Sequence, residues 1–120
     1  MSQPLVLIVE DEPLLRMHAA ALLAAEGYDT LEAGSADAAI ELLEGGADIR
    51  AVFTDIDLPG EMDGLHLAAA VRDRWPPIEL ILTSGHVRVE DRQLPERGQF
   101  LAKPYTSAQL SRAFKNLHLH

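Results

Sequence analysis

The sequence predicts an α/β fold: a parallel five-stranded sheet with helices on both faces. Three observations carry this. Five short apolar runs alternate with segments of helical periodicity along 120 residues. The first run is continuously apolar rather than alternating, as a strand covered on both faces must be. Four of the runs end in polar residues that suit one site, and open parallel sheets place ligands beyond their strand carboxyl ends.

Each element has its own signal. Leu5–Val9 is apolar and β-branched and reads as the first strand. Pro13 fits the first turn of a helix in which Leu15, His18, Leu22 and Ala25 recur at helical spacing, with Gly27 as its stop. Residues 28–33 form the second strand. Ser35 is an N-cap for a helix carrying Ala39, Ile40 and Leu43 that ends at Gly45-Gly46. Residues 51–55 form the third strand. Asp63 caps a helix through Leu67 and Val71 that stops before Pro76-Pro77. Residues 78–83 form the fourth strand and 100–102 the fifth. Between these two, the segment from Val87 to Gln99 is poor in apolar residues and holds Pro95 where a helix interior would run, so it is expected to be the most mobile part. Thr106-Ser107-Ala108-Gln109 is a capping box, and Leu110, Ala113, Phe114 and Leu117 form one stripe of the last helix. Right-handed crossovers place the helices on both faces, with strand order 2-1-3-4-5.

Composition narrows the function. The length suits one domain, residues 1–120. Apolar residues make up 48%, enough for a packed core. There is no cysteine, which excludes disulfides and thiolate metal sites and fits a cytoplasmic protein. No run approaches the roughly 18 apolar residues of a membrane span, and the N-terminus has no signal-peptide pattern. A net charge of −9 argues against nucleic acid as a partner.

The strand ends supply the chemistry. Glu10 and Asp11 follow strand one, and Asp55 ends strand three; the two strands are neighbours in the expected order. Like charges at 4 Å repel by about 4 kcal/mol at an effective dielectric of 20. Such a cluster needs a cation or a raised pKa. Hard oxygen ligands with room for water favour Mg²⁺. Glu12 alone reads as a helix N-terminal acid that complements the macrodipole. Asp55 beside Mg²⁺ is a nucleophile that can attack phosphorus. Thr83 offers a hydroxyl and Lys103 an ammonium to a phosphoryl group. Taken singly, Thr83 is an ordinary β-branched strand residue and Lys103 an ordinary surface lysine. Pro104 argues for a special Lys103, since the bond before proline can be cis.

The pieces LVLIVEDEP, VFTDIDLPG, MDGL, LILTSG and FLAKPY, in this order from about Leu5 to Leu117, resemble the receiver domain of two-component response regulators. The resemblance implies a flavodoxin-like doubly wound fold. It implies that Asp55 is the phosphoacceptor and that Asp11 and Asp55 bind Mg²⁺ directly, with Glu10 acting mostly through water. It gives the backbone carbonyl of Asp57 a further metal contact. Thr83 and Lys103 would bind the phosphoryl group, and Thr83 and Phe100 would switch the face formed by strands four and five. The implied partner is a histidine kinase or histidine phosphotransfer protein, with a possible downstream protein target. The chain would then be a signalling module rather than an enzyme, catalysing only its own phosphorylation and dephosphorylation, with no membrane attachment.

Three features depart from the family pattern. The loop through Pro59, Gly60, Glu61, Met62 and Asp63 is one residue longer than usual. Ser84 stands where alanine is frequent. The span from Thr83 to Lys103 is short, so its helix is expected to be short or frayed. An enzyme, of either of two kinds, and a plain binding module compete with this reading. Asp55-Ile56-Asp57 also resembles the acidic pair of aspartyl-nucleophile phosphatases, although theirs follows the first strand. A Mg²⁺-dependent toprim nuclease module has a similar acidic pattern but leaves Thr83 and Lys103-Pro104 unexplained. A module that keeps the fold without accepting phosphate is the third possibility, and the full set of acceptor-site residues argues against it.

Overall fold

The computed structural model describes residues 3–86 and 94–120. Its elements are β1 (Leu5–Val9), α1 (Pro13–Ala25), β2 (Asp29–Ala33), α2 (Ala36–Glu44), β3 (Ile49–Asp55), α3 (Gly64–Arg74), β4 (Glu79–Ser84), β5 (Gly98–Ala102) and α4 (Ser107–Lys115). The strands form one parallel sheet in the order β2-β1-β3-β4-β5, the doubly wound flavodoxin-like arrangement expected. Among the described residues there are four helices. The expectation for residues 87–93 lies outside the described residues; of the remainder, Leu94 packs against the core and 98–99 already belong to β5.

Alternation along each central strand builds two cores. Leu7 and Val9 of β1 point with Val52, Leu80 and Leu82 to one face, where α2 and α3 bring Ala39, Leu43, Leu67 and Val71. Val6 and Ile8 point with Ala51, Phe53 and Ile81 to the other, where α1 and α4 bring Ala19, Leu23, Leu110 and Phe114. Both faces are therefore apolar, which is why β1 reads as an unbroken apolar run.

The caps follow the sequence. Ser35 Oγ accepts from Ala38 N at 3.1 Å, Asp63 Oδ1 from His66 N at 2.9 Å, and Thr106 with Gln109 closes both bonds of its box. The stripe expected on α1 is corrected. Leu15, His18 and Ala25 are exposed and Leu22 half-buried; the helix buries Ala19 and Leu23 instead. The helix is apolar on most sides, so its spacing offers little contrast between faces; Arg16, on the side shared with Ala19 and Leu23, donates to the Glu10 carbonyl at 2.9 Å and to Glu32 Oε1 at 3.3 Å. At the C-terminus, the His120 ring lies tilted against Tyr28 with ring centroids 4.7 Å apart. Among the described residues no helix is long and apolar enough to cross a membrane.

Register brings the strand ends level. Val9 pairs with Thr54, Asp55 with Thr83, and Ser84 with Ala102. Arg72 of α3 anchors the opposite end of the sheet, donating to the carbonyls of Pro76, Ile78 and Glu96.

Candidate functional site

Glu10, Asp11, Asp55 and Lys103 meet where β1, β3 and β5 end. Lys103 Nζ donates to Glu10 Oε1 at 2.7 Å and to Asp55 Oδ2 at 2.8 Å. Each of the three acids places a carboxylate oxygen within 4.8 Å of the other two. Glu10 and Asp55 are buried, whereas Asp11 is exposed toward the opening. The Lys103–Pro104 peptide is cis, as the sequence suggested.

Local structure fixes each group. The second oxygen of Asp55 accepts from Asp57 N at 3.0 Å, so the turn after β3 holds the carboxylate from below. Glu10 Oε2 accepts from Glu12 N at 3.3 Å. Burial, and then the charge of Asp55, push the Glu10 carboxyl up against the pull of Lys103. Burial works to pull the Lys103 ammonium down, but its bonds to Asp55 and Glu10 outweigh that and raise it. Lys103 is therefore a fixed cation shared by two carboxylates.

Three carboxylates against one ammonium leave excess negative charge at the opening. Hard oxygen donors of this kind, two buried and one facing solvent, fit a small divalent cation that keeps part of its water. The donor set thus fits Mg²⁺.

The remaining residues divide. Thr83 lies directly opposite Asp55 in register and is buried, but its Oγ1 donates to the Leu101 carbonyl at 2.5 Å and not into the site. Phe100 is half-buried against the α2–α3 core. Asp57 lines the opening with Asp11, Gly85 and His86, yet its carboxylate accepts from Ser84 Oγ at 2.6 Å.

Two contributors escape a reading of the sequence by residue type. Arg16 braces the Glu10 carbonyl, and only tertiary contact reveals that. Gly64 is the other: a Cβ there would lie 2.0 Å from the Asp55 carbonyl oxygen and 2.7 Å from Ile56 Cα. Its backbone N donates to Ile56 O at 2.9 Å. The first turn of α3 therefore packs on the backbone of Asp55 and Ile56, a closeness only glycine permits. The Asp63-Gly64 pair after a long loop was the available signal.

Comparison with known proteins shows the family. The family model for the response regulator receiver domain matches residues 6–115. The chain is 37% identical over 118 residues to sensor kinase CckA of Brucella abortus, covering 93% of this chain and 12% of that protein. It is 37% identical to the transcriptional regulatory protein AruR of Pseudomonas aeruginosa, covering 95% of this chain and 49% of AruR. The chain thus spans half or less of these curated relatives. A response regulator receiver protein from Sinorhizobium medicae superposes with a TM-score of 0.90 at 32% identity, covering 96% of this chain and 94% of that one.

Proposed function

The chain belongs to the response regulator receiver domain family, and from that premise and the site geometry we propose that Asp55 is its phosphoacceptor. The carrying observation is the placement of Lys103 Nζ on both Asp55 and Glu10, beside a third carboxylate at the opening. The donor is a phosphohistidine on a histidine kinase or phosphotransfer protein. An Asp55 oxygen forms the new bond to phosphorus while the N–P bond breaks and its electron pair stays on the imidazole. Glu10, Asp11, Asp55 and the Asp57 carbonyl form the set that would hold Mg²⁺. When bound, Mg²⁺ neutralises charge on the phosphoryl oxygens.

Lys103 pairs with the Asp55 carboxylate before transfer and with the phosphoryl oxygens after it. Thr83 gives up the Leu101 carbonyl and turns its hydroxyl to the new phosphate. Phe100, on the paired strand, moves with it, and the altered β4–β5 face is what a downstream protein reads. The aspartyl-phosphatase alternative is weaker, because the Asp57 carboxylate that would act there as acid or base is tied to Ser84. The whole of residues 1–120 as one receiver domain, acting as a signalling module that catalyses only its own phosphorylation chemistry, is part of this reading. So is a cytoplasmic location, which the family and the cysteine-free sequence support.

The test is labelling with acetyl phosphate or a phosphohistidine donor. Asp55→Asn is expected to lose the acid-labile label while its circular dichroism is unchanged, and EDTA is expected to stop transfer to the wild type. Full label on Asp55→Asn, or full transfer in EDTA, would contradict the assignment.

A further inference from the structure

Ser84 is where this chain departs from the small residue frequent in its family, and the structure gives its hydroxyl a partner at the site. Ser84 is 2% exposed. Its Oγ donates to Asp57 Oδ2 at 2.6 Å and accepts from His86 N at 3.1 Å. Asp57 lines the same opening as Glu10, Asp11 and Asp55. Only those last three bring carboxylate oxygens within 4.8 Å of one another. A fourth carboxylate is thus present at the pocket and turned toward β4 by a neutral hydroxyl.

Resting on the receiver reading, we propose that Ser84 is a positioning residue that sets the cation selectivity of the acceptor site by keeping the Asp57 carboxylate out of the ligand set. The physical basis is ligand number. Mg²⁺ is small, demands near-octahedral geometry, retains waters and takes few carboxylates; Ca²⁺ takes six to eight oxygens in flexible arrangements. Three carboxylates with an open side suit the first. A fourth carboxylate, free to swing in, adds both a ligand and a charge, and favours the second. A hydroxyl-to-carboxylate bond is short and charge-assisted, so it competes with the attraction of the cation for Asp57. Removing the hydroxyl leaves that attraction unopposed.

The Ser84 main chain keeps β5 in register, the carbonyl accepting from Lys103 N at 3.1 Å, and a side-chain substitution leaves that bond intact. Asp57 N still donates to Asp55 Oδ1, so the turn itself has a second anchor when the hydroxyl is gone.

The experiment is calorimetric titration of Mg²⁺ and of Ca²⁺ into the wild type, Ser84→Ala, Ser84→Gly, Ser84→Thr, Asp57→Asn and the double variant S84A/D57N. Ser84→Ala and Ser84→Gly are each expected to raise Ca²⁺ affinity relative to Mg²⁺ about tenfold, the scale of one added carboxylate ligand. Ser84→Thr retains a hydroxyl and is expected to keep the wild-type ratio. Asp57→Asn alone, which removes the charge that the hydroxyl diverts, is the reference for the double variant. S84A/D57N is expected to match Asp57→Asn. The glycine variant guards against a failure of the alanine variant to fold. An unchanged ratio in the folded Ser84 variants overturns the proposal, as does a shift that persists in S84A/D57N. If labelling of Asp55 still requires Mg²⁺ while the ratio does not move, this inference fails and the receiver reading stands. A wild type that binds neither cation overturns the metal set of the preceding section and this inference with it.

Discussion

Lys103 shares one ammonium between Glu10 and Asp55 at 2.7 and 2.8 Å, and that sharing sets two expectations for single residues. Lys103→Met is expected to slow phosphoryl transfer to Asp55 while strengthening Mg²⁺ binding about three- to tenfold, because the carboxylates lose a cation that competes with the metal. Labelling kinetics and calorimetry read the two effects separately, and weaker Mg²⁺ binding would show that Lys103 organises the acids more than it neutralises them. The acids themselves are unequal. Glu10 is held by Lys103 and by Glu12 N, whereas Asp11 is exposed at the opening and has no protein hydrogen bond among the described residues. Asp11→Asn is therefore expected to weaken Mg²⁺ binding more than Glu10→Gln in the same titration.

Among the elements, α1 and the caps teach opposite lessons. Thr106 and Gln109 form the box that the sequence announces, and Thr106→Ala is expected to cost about 1 kcal/mol in urea unfolding. Asp63 caps α3, and there burial works to raise its carboxyl, but the donors His66 N, the His66 ring and Leu65 N lower it on balance. A depressed folded pKa means that the charged cap contributes stability above the ordinary value of 3.8 and loses it as pH falls through the folded pKa. The stability gap between wild type and Asp63→Asn, which keeps a cap oxygen without the charge, is expected to be present at pH 6 and to close under acid; a gap that widened in acid would reverse the sign. On α1 the segment PLLRMHAAALLAA is apolar nearly all round, so periodicity has little contrast to show which side faces the sheet. Burial of Ala19 and Leu23 against the sheet settles it, with Arg16 on the same side reaching the Glu10 carbonyl and Glu32. Leu23→Ala is accordingly expected to cost about 2–5 kcal/mol, and Leu14→Ser, at a side chain 74% exposed, almost nothing.

For the molecule as a whole, a cation bound at the acidic cluster would link the site to stability. A cation that binds only the folded chain stabilises it by mass action, about 2.7 kcal/mol at a hundredfold excess over Kd. Mg²⁺ is expected to raise the melting temperature of the wild type by several degrees and that of Asp11→Asn by much less. Gly64 ties the same site to the packing of α3. Gly64→Ala would drive a methyl into the backbone of Asp55 and Ile56 and is expected to lower stability by about 2–3 kcal/mol, with Mg²⁺ binding lost in the protein that remains folded.

The sequence by itself determined the strands, their parallel order and most of the helix stripes, because apolar runs, caps and turn residues are local signals. It also named Glu10, Asp11, Asp55, Thr83 and Lys103, since unlike polar groups at the ends of apolar runs are conspicuous in one dimension. Tertiary structure alone decided how these groups are used. Contact between segments 93 residues apart puts Lys103 on Glu10. Register puts Thr83 beside Asp55 while a β5 carbonyl takes its hydroxyl. Side-chain bonds join Arg16 to the Glu10 carbonyl and Ser84 to the Asp57 carboxylate, and no local propensity encodes either. Hydrophobic pattern specifies which surfaces must be buried; the direction of a single buried polar bond depends on neighbours that only the assembled sheet supplies.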